Sequence, residues 1–436
     1  MIRDRRVFDM GLTLLLIAFV MCVVAGIPIA FALGVAALVT AIYEGIPTLI
    51  VYQRMVAGIN VFSLLAIPFF IFAGEIMMRG GIAIRLVRAA ETVVGQVRGG
   101  LGVVNVLTSM LFGGISGSAV ADTSALGSVM IPMMRERGYD DDYTVNVTVT
   151  SSIAGVLIPP SHNMILYALA AGGGISVTSL FIAGVVPGIL LCICLSVAAY
   201  VVAARRGYPT GKFPGWRAVV FAMGAALPGL LTAVIIIGGI VSGIFTVTES
   251  AAIGVIYALL VTTLFYRSLS WQAFCECVTQ AIRTTAMVMI LIGTAQAFSY
   301  FITLYQVPSA ILSGMQSLSE NKIVLLLLIN LSLLVLGMFM DMGALILICT
   351  PIFLPLIKQL GIDPVQFGMI LMMNLGLGLT TPPVGPCLFV GCSIAKVKIE
   401  SVIGTIWPFY LAILAALMLT TFVPVISLGL PRLLGY

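Results

Sequence analysis

Eleven apolar runs, at 10–43, 62–78, 100–134, 144–170, 179–203, 218–243, 251–265, 284–304, 323–357, 366–393 and 402–430, leave this chain little with which to face water. A helix crossing the hydrocarbon core needs about 20 mostly apolar residues, and these runs are continuous rather than alternating, so they read as helices and not as transmembrane strands. Over 436 residues, 61% are hydrophobic and only 8% charged, a balance with which no soluble domain could cover its surface. The sequence therefore predicts an all-α polytopic membrane protein with room for roughly 10 to 12 spans.

The N-terminus, Met1-Ile-Arg-Asp-Arg-Arg6, superficially resembles the basic start of a signal peptide. Its apolar run continues to Tyr43 without a small-residue cleavage site, which reads as a retained first span. The net charge of +5 comes from 21 basic residues scattered through loop-like segments. That pattern fits helix-end anchoring and charge bias across a membrane, and excludes a dense nucleic-acid surface. Eight cysteines without a C-x-x-C pair, and a single histidine, give a zinc site little to build on. They read as small apolar fillers.

The strongest internal signal is duplication. Pro132, Asp140, Gly155 and Pro159 recur as Pro355, Asp363, Gly378 and Pro382, all at an offset of 223, and Pro187 recurs as Pro408 at 221. The reading is two related halves, 1–203 and 218–436, joined by a loop at 204–217, with each half carrying a re-entrant hairpin and a discontinuous helix. Inverted repeats of this kind are common in secondary transporters, whose sites form where the repeats meet. The basic join Ala203–Lys212 should be cytoplasmic, yet an inverted repeat needs an odd number of spans, which puts the basic N-terminus on the other face. Orientation stays open on sequence grounds. Ile82–Arg98 and Ser268–Arg283 read as amphipathic helices lying at the interface.

Three constellations carry chemistry. In Phe112–Ser128, Ser116, Gly117, Ser118, Asp122 and Thr123 stand where a plain span would have Leu and Val, so a hairpin over about 112–137 should turn near Ser116–Ser118. Thr150–Asn163 includes Ser152, Pro159, Pro160, Ser161 and Asn163; its counterpart at 374–385 includes Thr380, Thr381, Pro382, Pro383 and Gly385. Consecutive prolines remove N–H donors and clash with the preceding turn, so broken helices are expected over about 144–172 and 365–393. Freed carbonyls there suit Na⁺, and the restarting N–H groups suit an anion. The third constellation, Gly337-Met-Phe-Met-Asp341-Met-Gly343, should form the tip of a second hairpin at about 336–361.

Ionisable residues in apolar runs are expensive and usually face a cavity or partner, which makes Asp122, Asp341, Glu75 and Glu249 candidates. Glu75 has a structural alternative in Arg79 one turn later, and Glu249 in capping the helix after Thr246-Val-Thr248. His162 reads as a polar helix start more readily than as a proton relay.

These motifs, Phe112-Gly-Gly-Ile-Ser-Gly-Ser-Ala-Val-Ala-Asp122, Ile158-Pro-Pro-Ser161, Gly243-Ile-Phe-Thr-Val-Thr-Glu-Ser250, Gly337–Asp341 and Thr380-Thr-Pro-Pro-Val-Gly385, together resemble those of the large membrane subunit of tripartite ATP-independent periplasmic (TRAP) transporters. The resemblance covers essentially the whole chain, with Val247 standing where the family usually has proline. It implies an elevator-type transporter in a bacterial inner membrane, importing a small organic acid such as a C4-dicarboxylate or sialic acid. It further implies Na⁺ as coupling ion, a small membrane permease subunit and a periplasmic substrate-binding protein as partners, and no enzymatic activity. Under it, Na⁺ would be held near Ser116, Ser118, Ser161, Gly337, Asp341, Thr380 and Thr381. The alternatives are a stand-alone ion-coupled carboxylate carrier and, more remotely, an intramembrane aspartyl protease using Asp122 and Asp341. A self-contained ATP-driven pump is excluded, because Gly207–Lys212 lacks the spacing of a phosphate-binding loop.

Overall fold

The structure is a computed structural model describing residues 5–211, 213–319 and 321–436. The basic charges expected at Met1–Asp4 and Lys212 lie outside the described residues. Glycine and proline, acting on an otherwise uniformly apolar chain, set where each helix stops. The run 10–43 divides at Gly26, with positive φ, and Pro28 into α1 (Arg5–Val24) and α2 (Ile29–Tyr43), which pack on each other. The expected single first span is therefore two helices. After them come α3 (Thr48–Ile59), α4 (Ala66–Arg79) and the amphipathic α5 (Ile82–Val94).

The first site-bearing segment follows as α6 (Gly100–Ser116), α7 (Ala119–Glu136), α8 (Asp141–Ser151), the single turn α9 (Ala154–Leu157), α10 (His162–Ala170) and the 30-residue α11 (Val177–Arg206). Next are α12 (Trp216–Val241), α13 (Val247–Leu260, closing in a π-turn at Val261–Phe265), α14 (Trp271–Leu304) and α15 (Val307–Leu318). The second site-bearing segment comprises α16 (Lys322–Gly337), α17 (Met342–Gln359), α18 (Pro364–Gly378), α19 (Pro386–Ala395), α20 (Ile399–Ile403), α21 (Trp407–Phe422) and α22 (Pro424–Leu433). Among the described residues there is no strand, only an isolated bridge between Arg98 and Thr210.

Among the described residues, six helices are long and apolar enough to cross a membrane, one of them α4 together with the turn Phe62–Leu65 ahead of it, and two bent pairs also pass, one bent by 53° between α9 and α10 and one by 61° between α21 and α22. The count falls below the roughly 10 to 12 expected from run length, because several runs are cut into helices too short to span alone. One expected interfacial helix also changes character. Ser268–Arg283 contributes the start of α14, whose 34 residues run unbroken to Leu304 because no proline interrupts them. The short connector ahead of the second hairpin is instead α15, which stands before α16 as α5 stands before α6.

Packing sorts the helices into two groups. In one, α14 lies against α2, α3 and α4, while α13 packs on α4 and α12, and α12 on α5. In the other, α11 runs beside α6, α18, α21 and α22, and α16 packs on α18. The groups meet where α4 and α5 touch α6 and where α14 touches α17.

At one end, a polar cluster ties the chain between the halves to the base of the first hairpin. Arg206 donates to Asp142 at 2.8 Å and Asp140 at 3.0 Å, and the Tyr208 hydroxyl donates to Asp140 at 2.6 Å. Tyr208 packs tilted against both Tyr139 and Tyr143, and burial, aided by the Asp140 carboxylate, pushes its hydroxyl pKa up to about 12. Tyr208 therefore stays a donor at any physiological pH.

Candidate functional site

The first hairpin turns where the sequence changes from Gly113-Gly114 to Ser116-Gly117-Ser118. Gly117, with φ 63°, ends α6 in the left-handed conformation, and Ser118 caps α7, its hydroxyl accepting from the Ala121 N–H at 3.4 Å. Ser116 donates to the Asp122 carboxylate, and its hydroxyl accepts from the Ser118 N–H at 3.4 Å. Asp122 is fully buried, and its second oxygen has no hydrogen-bond partner. A side chain lacking one partner in a dry interior is costly unless something else occupies that position.

This tip rests on the double-proline break of its own half. A β-carbon placed on Gly117 would lie 2.8 Å from the Pro160 carbonyl oxygen, and one on Gly155 would lie 2.8 Å from Asp122 Oδ2. Gly117 is needed because backbone meets backbone there, and Gly155 because the Asp122 side chain fills the space. Beyond the break, whose Pro159–Pro160 peptide is cis, Ser161 stands at the N-cap of α10 with a buried and unpartnered hydroxyl. His162 opens α10, as a polar helix-start residue should, and Asn163 is buried in its first turn.

The second hairpin uses the same frame with different groups. Its tip spans Met338–Met340, and Asp341 caps α17 by accepting from the Gly343 N–H at 2.9 Å. Position 341 lies 223 beyond Ser118, so the capping serine of one half corresponds to the capping aspartate of the other. Asp341 is exposed at the tip, whereas Asp122 is enclosed. The Met338 carbonyl accepts from the Val384 N–H at 3.2 Å, fastening this tip to its own double-proline segment, where Pro382–Pro383 is also cis.

Gly337 and Gly378 approach so closely that a β-carbon on Gly378 would lie 2.6 Å from the Gly337 Cα and carbonyl oxygen. Thr380 and Thr381 both turn their hydroxyls back to the Leu377 carbonyl, at 2.8 and 2.7 Å, while the Thr380 carbonyl accepts from the Tyr410 hydroxyl at 2.6 Å. Their free valences are lone pairs, not protons. Gly385, with φ 41°, starts α19; Pro382 is partly accessible and Pro383 is exposed.

The halves then cross. The half-helix α10 packs on α17 of the second hairpin, and α19 packs on α7 and α8 of the first. Cys387, at the start of α19, is buried within hydrogen-bonding reach of Thr123 and Ser152. Thr123 also donates to the Ala119 carbonyl at 2.9 Å, and Ser152 to the Val149 carbonyl at 2.7 Å. Thus Ser116, Gly117, Ser118, Asp122, Pro160 and Ser161 meet at one tip, Gly337, Asp341 and Gly343 at the other, and Thr123 and Ser152 lie where the halves touch.

Two carboxylates flagged in the sequence lie elsewhere. Glu249 forms a capping box with Thr246, accepting its N–H at 2.8 Å, and Val247 occupies the first helical position, where the N–H is free and proline is favoured. Glu75 lies 4.0 Å from Arg79, which also pairs with Glu276. Residues not singled out beforehand brace each hairpin: Ser109 and Ser151 share a hydrogen bond at 2.9 Å, and at the matching place Asn374 donates to Asn330 at 2.6 Å. The signal available was a polar residue in an apolar run; its partner, more than 40 positions away, was not readable.

The chain matches the family described as "Tripartite ATP-independent periplasmic transporter, DctM component" over residues 16–426. It is 43% identical over 419 residues to the uncharacterized protein YgiK of Salmonella typhimurium, covering 95% of this chain and 96% of that one. It is 38% identical to the sialic acid TRAP transporter large permease protein SiaM of Vibrio cholerae, covering 94% and 96%. A third relative, the isethionate TRAP transporter permease protein DctMQ of Oleidesulfovibrio alaskensis, is 39% identical over 94% of this chain but 65% of its own length. Among solved structures, the YdaH transporter of Alcanivorax borkumensis is similar in fold, with a TM-score of 0.62 at 15% identity over 89% of each chain. A family match over nearly the whole chain, on a frame of apolar helices, gives the identity: this protein belongs to the large permease subunits of TRAP transporters, multi-pass inner-membrane secondary transporters and not enzymes.

Proposed function

We propose that this subunit is the membrane path of a Na⁺-coupled importer of a carboxylate-bearing organic solute, such as a C4-dicarboxylate or a sialic acid. The solute is delivered by a periplasmic binding protein and the subunit is paired with a small membrane subunit. The observation that carries this reading is the crossing of the halves, α10 on α17 and α19 on α7, which brings two hairpin tips and two helix breaks to one region. Helix breaks supply free carbonyls for a cation and free N–H groups for a carboxylate.

The chemistry of the donors fits a hard cation. The unpartnered Asp122 Oδ2 and Ser161 Oγ, the lone pairs of Thr380 and Thr381, and the Asp341 carboxylate are all oxygen ligands. Ser116 and Ser118 would complete the first ion position, and the Gly337 carbonyl the second. Na⁺ binding would tighten each tip on its break and so order the substrate position between them. The unit of transport is then the group formed by α6–α11 and α16–α22, read as two inverted repeats, sliding as an elevator past the group formed by α1–α5 and α12–α14. An ion can drive that step only through tighter binding to one state of the cycle.

The test is uptake of labelled organic acids into proteoliposomes holding the chain and its small subunit, with an imposed Na⁺ or proton gradient, with and without binding protein. Expected is uptake that needs both Na⁺ and binding protein and falls in Asp341→Asn and Ser116→Ala. Uptake indifferent to Na⁺ would remove the coupling claim. Undiminished uptake without binding protein would instead favour a stand-alone carrier.

A further inference from the structure

The break after Gly378 frees a row of backbone carbonyls, and two of them are given donors from farther along the chain. Pro383 has no N–H to return to the Leu379 carbonyl, which accepts instead from the Cys387 N–H at 3.0 Å. One residue on, the Val384 N–H that a continuing helix would bring to the Thr380 carbonyl goes to the Met338 carbonyl of the hairpin tip, at 3.2 Å. Thr380 thereby loses its helical donor, and the Tyr410 hydroxyl replaces it at 2.6 Å. The next three carbonyls, of Thr381, Pro382 and Pro383, accept no hydrogen bond among the described residues.

The peptide between Thr380 and Thr381 is pinned at both ends. Its N–H, on Thr381, donates to the Gly378 carbonyl at 3.0 Å, and its C=O, on Thr380, accepts from Tyr410. A peptide unit is planar, so holding both ends fixes how the whole unit is turned. Tyr410 comes from α21, which packs on α18; it is 7% exposed and lies edge-on to Trp407, with ring centroids 6.0 Å apart.

The first half does without this tie. At the offset of 223, Thr380 matches Leu157, whose carbonyl packs on α11 at Gly184, where a β-carbon would lie 2.3 Å from it. At the offset of 221 that relates Pro187 to Pro408, Tyr410 matches Ile189, which is exposed. A broken helix of this frame therefore forms without a phenol, and the phenol belongs to the half whose Asp341 is exposed at the tip.

We infer that Tyr410 is a positioning residue for the cation held at the second break. It withdraws the Thr380 carbonyl from the set of ligands and holds the peptide so that the Thr381 carbonyl and the lone pairs of the two threonine hydroxyls are left for the ion. The inference rests on the Na⁺ coupling proposed above and adds to it the group that decides which oxygens of the break are offered. A phenol with only a structural role would need some acceptor, and any carbonyl would serve.

The test is binding of radiolabelled Na⁺ to the purified full-length chain with its small subunit, with Li⁺ as competitor, in wild type, Tyr410→Phe and Tyr143→Phe. Tyr143 gives the matched control: its hydroxyl, also buried, donates to the Ala199 carbonyl at 3.0 Å, at the base of the first hairpin. Each variant loses one buried hydroxyl bond, so both should melt somewhat below wild type. Expected is Na⁺ binding about fivefold weaker in Tyr410→Phe, the size of one neutral hydrogen bond, and unchanged in Tyr143→Phe. The preference for Na⁺ over Li⁺ should narrow in Tyr410→Phe alone, because ligands held less firmly discriminate less between ions of different size. Wild-type affinity and preference in Tyr410→Phe, an equal shift in Tyr143→Phe, or failure of Tyr410→Phe to fold where Tyr143→Phe folds would each overturn the inference while leaving Na⁺ coupling in place. Absence of Na⁺ binding to the wild type would instead remove the coupling itself, and the inference with it.

Discussion

The two hairpin tips share a backbone frame and differ in where each keeps its carboxylate. In the first, Ser118 provides the cap and Asp122 is buried one turn further on, bound to Ser116 and pressed against Gly155. In the second, Asp341 is itself the cap and is exposed, and the close approach to Gly378 is made by Gly337. A duplicated frame can thus hold an enclosed charge on one side and an accessible one on the other. Under the proposed Na⁺ coupling, the first tip would hold its ion with the enclosed Asp122 and the second with the capping Asp341.

The largest expected effect comes from the close approaches. Gly378→Ala puts a β-carbon against the Gly337 backbone, which cannot rotate away, and should cost about 3 kcal/mol and abolish uptake. Gly155→Ala meets the Asp122 side chain, which can move, so its thermal shift should be smaller although its loss of Na⁺ dependence should be as large. Equal thermal shifts would mean the two frames are equally rigid, against the comparison. Next, Asn330→Ala leaves one N–H of the buried Asn374 amide unpaired, the other staying on the Ile370 carbonyl, and should cost about 2 kcal/mol, against about 1 for Ser109→Ala, where Ser151 retains its bond to the Thr148 carbonyl. Denaturation in mild detergent would rank them.

Smaller still, Asp341→Ser installs the residue that caps the first hairpin. It should fold as wild type yet transport poorly, whereas Asp341→Ala should also lose about 1 kcal/mol of capping. If serine preserves uptake, the aspartate is only a cap and the contrast between the tips is structural. Smallest is Val247→Pro, which restores the residue usual in the family at a position whose N–H is free and should raise stability by about 0.5 kcal/mol with transport unchanged. A lower melting temperature would show that the partly buried Val247 side chain matters more than its φ angle.

The frame was legible because glycine and proline act locally. A Pro-Pro pair interrupts an apolar helix whatever surrounds it, so both breaks and both tips could be located from residues alone, and Glu249 could be read as a cap from its spacing to Thr246. Ser268–Arg283 was harder. Its charges suggest a surface helix, but charges do not stop a helix, and no breaker separates it from the span that follows.

Membrane class, helical content and the places where the helices break were determined by the sequence itself, because each follows from hydrophobicity or from the missing N–H of proline. Which helices meet was decided only by tertiary structure. That α19 brings Cys387 to Thr123 and Ser152, that Asn374 finds Asn330, and that Arg85 stacks on Tyr266 depend on packing between segments far apart in the chain. Contacts between one apolar helix and another leave no periodic mark on either, so nothing along the sequence says which partner each will choose.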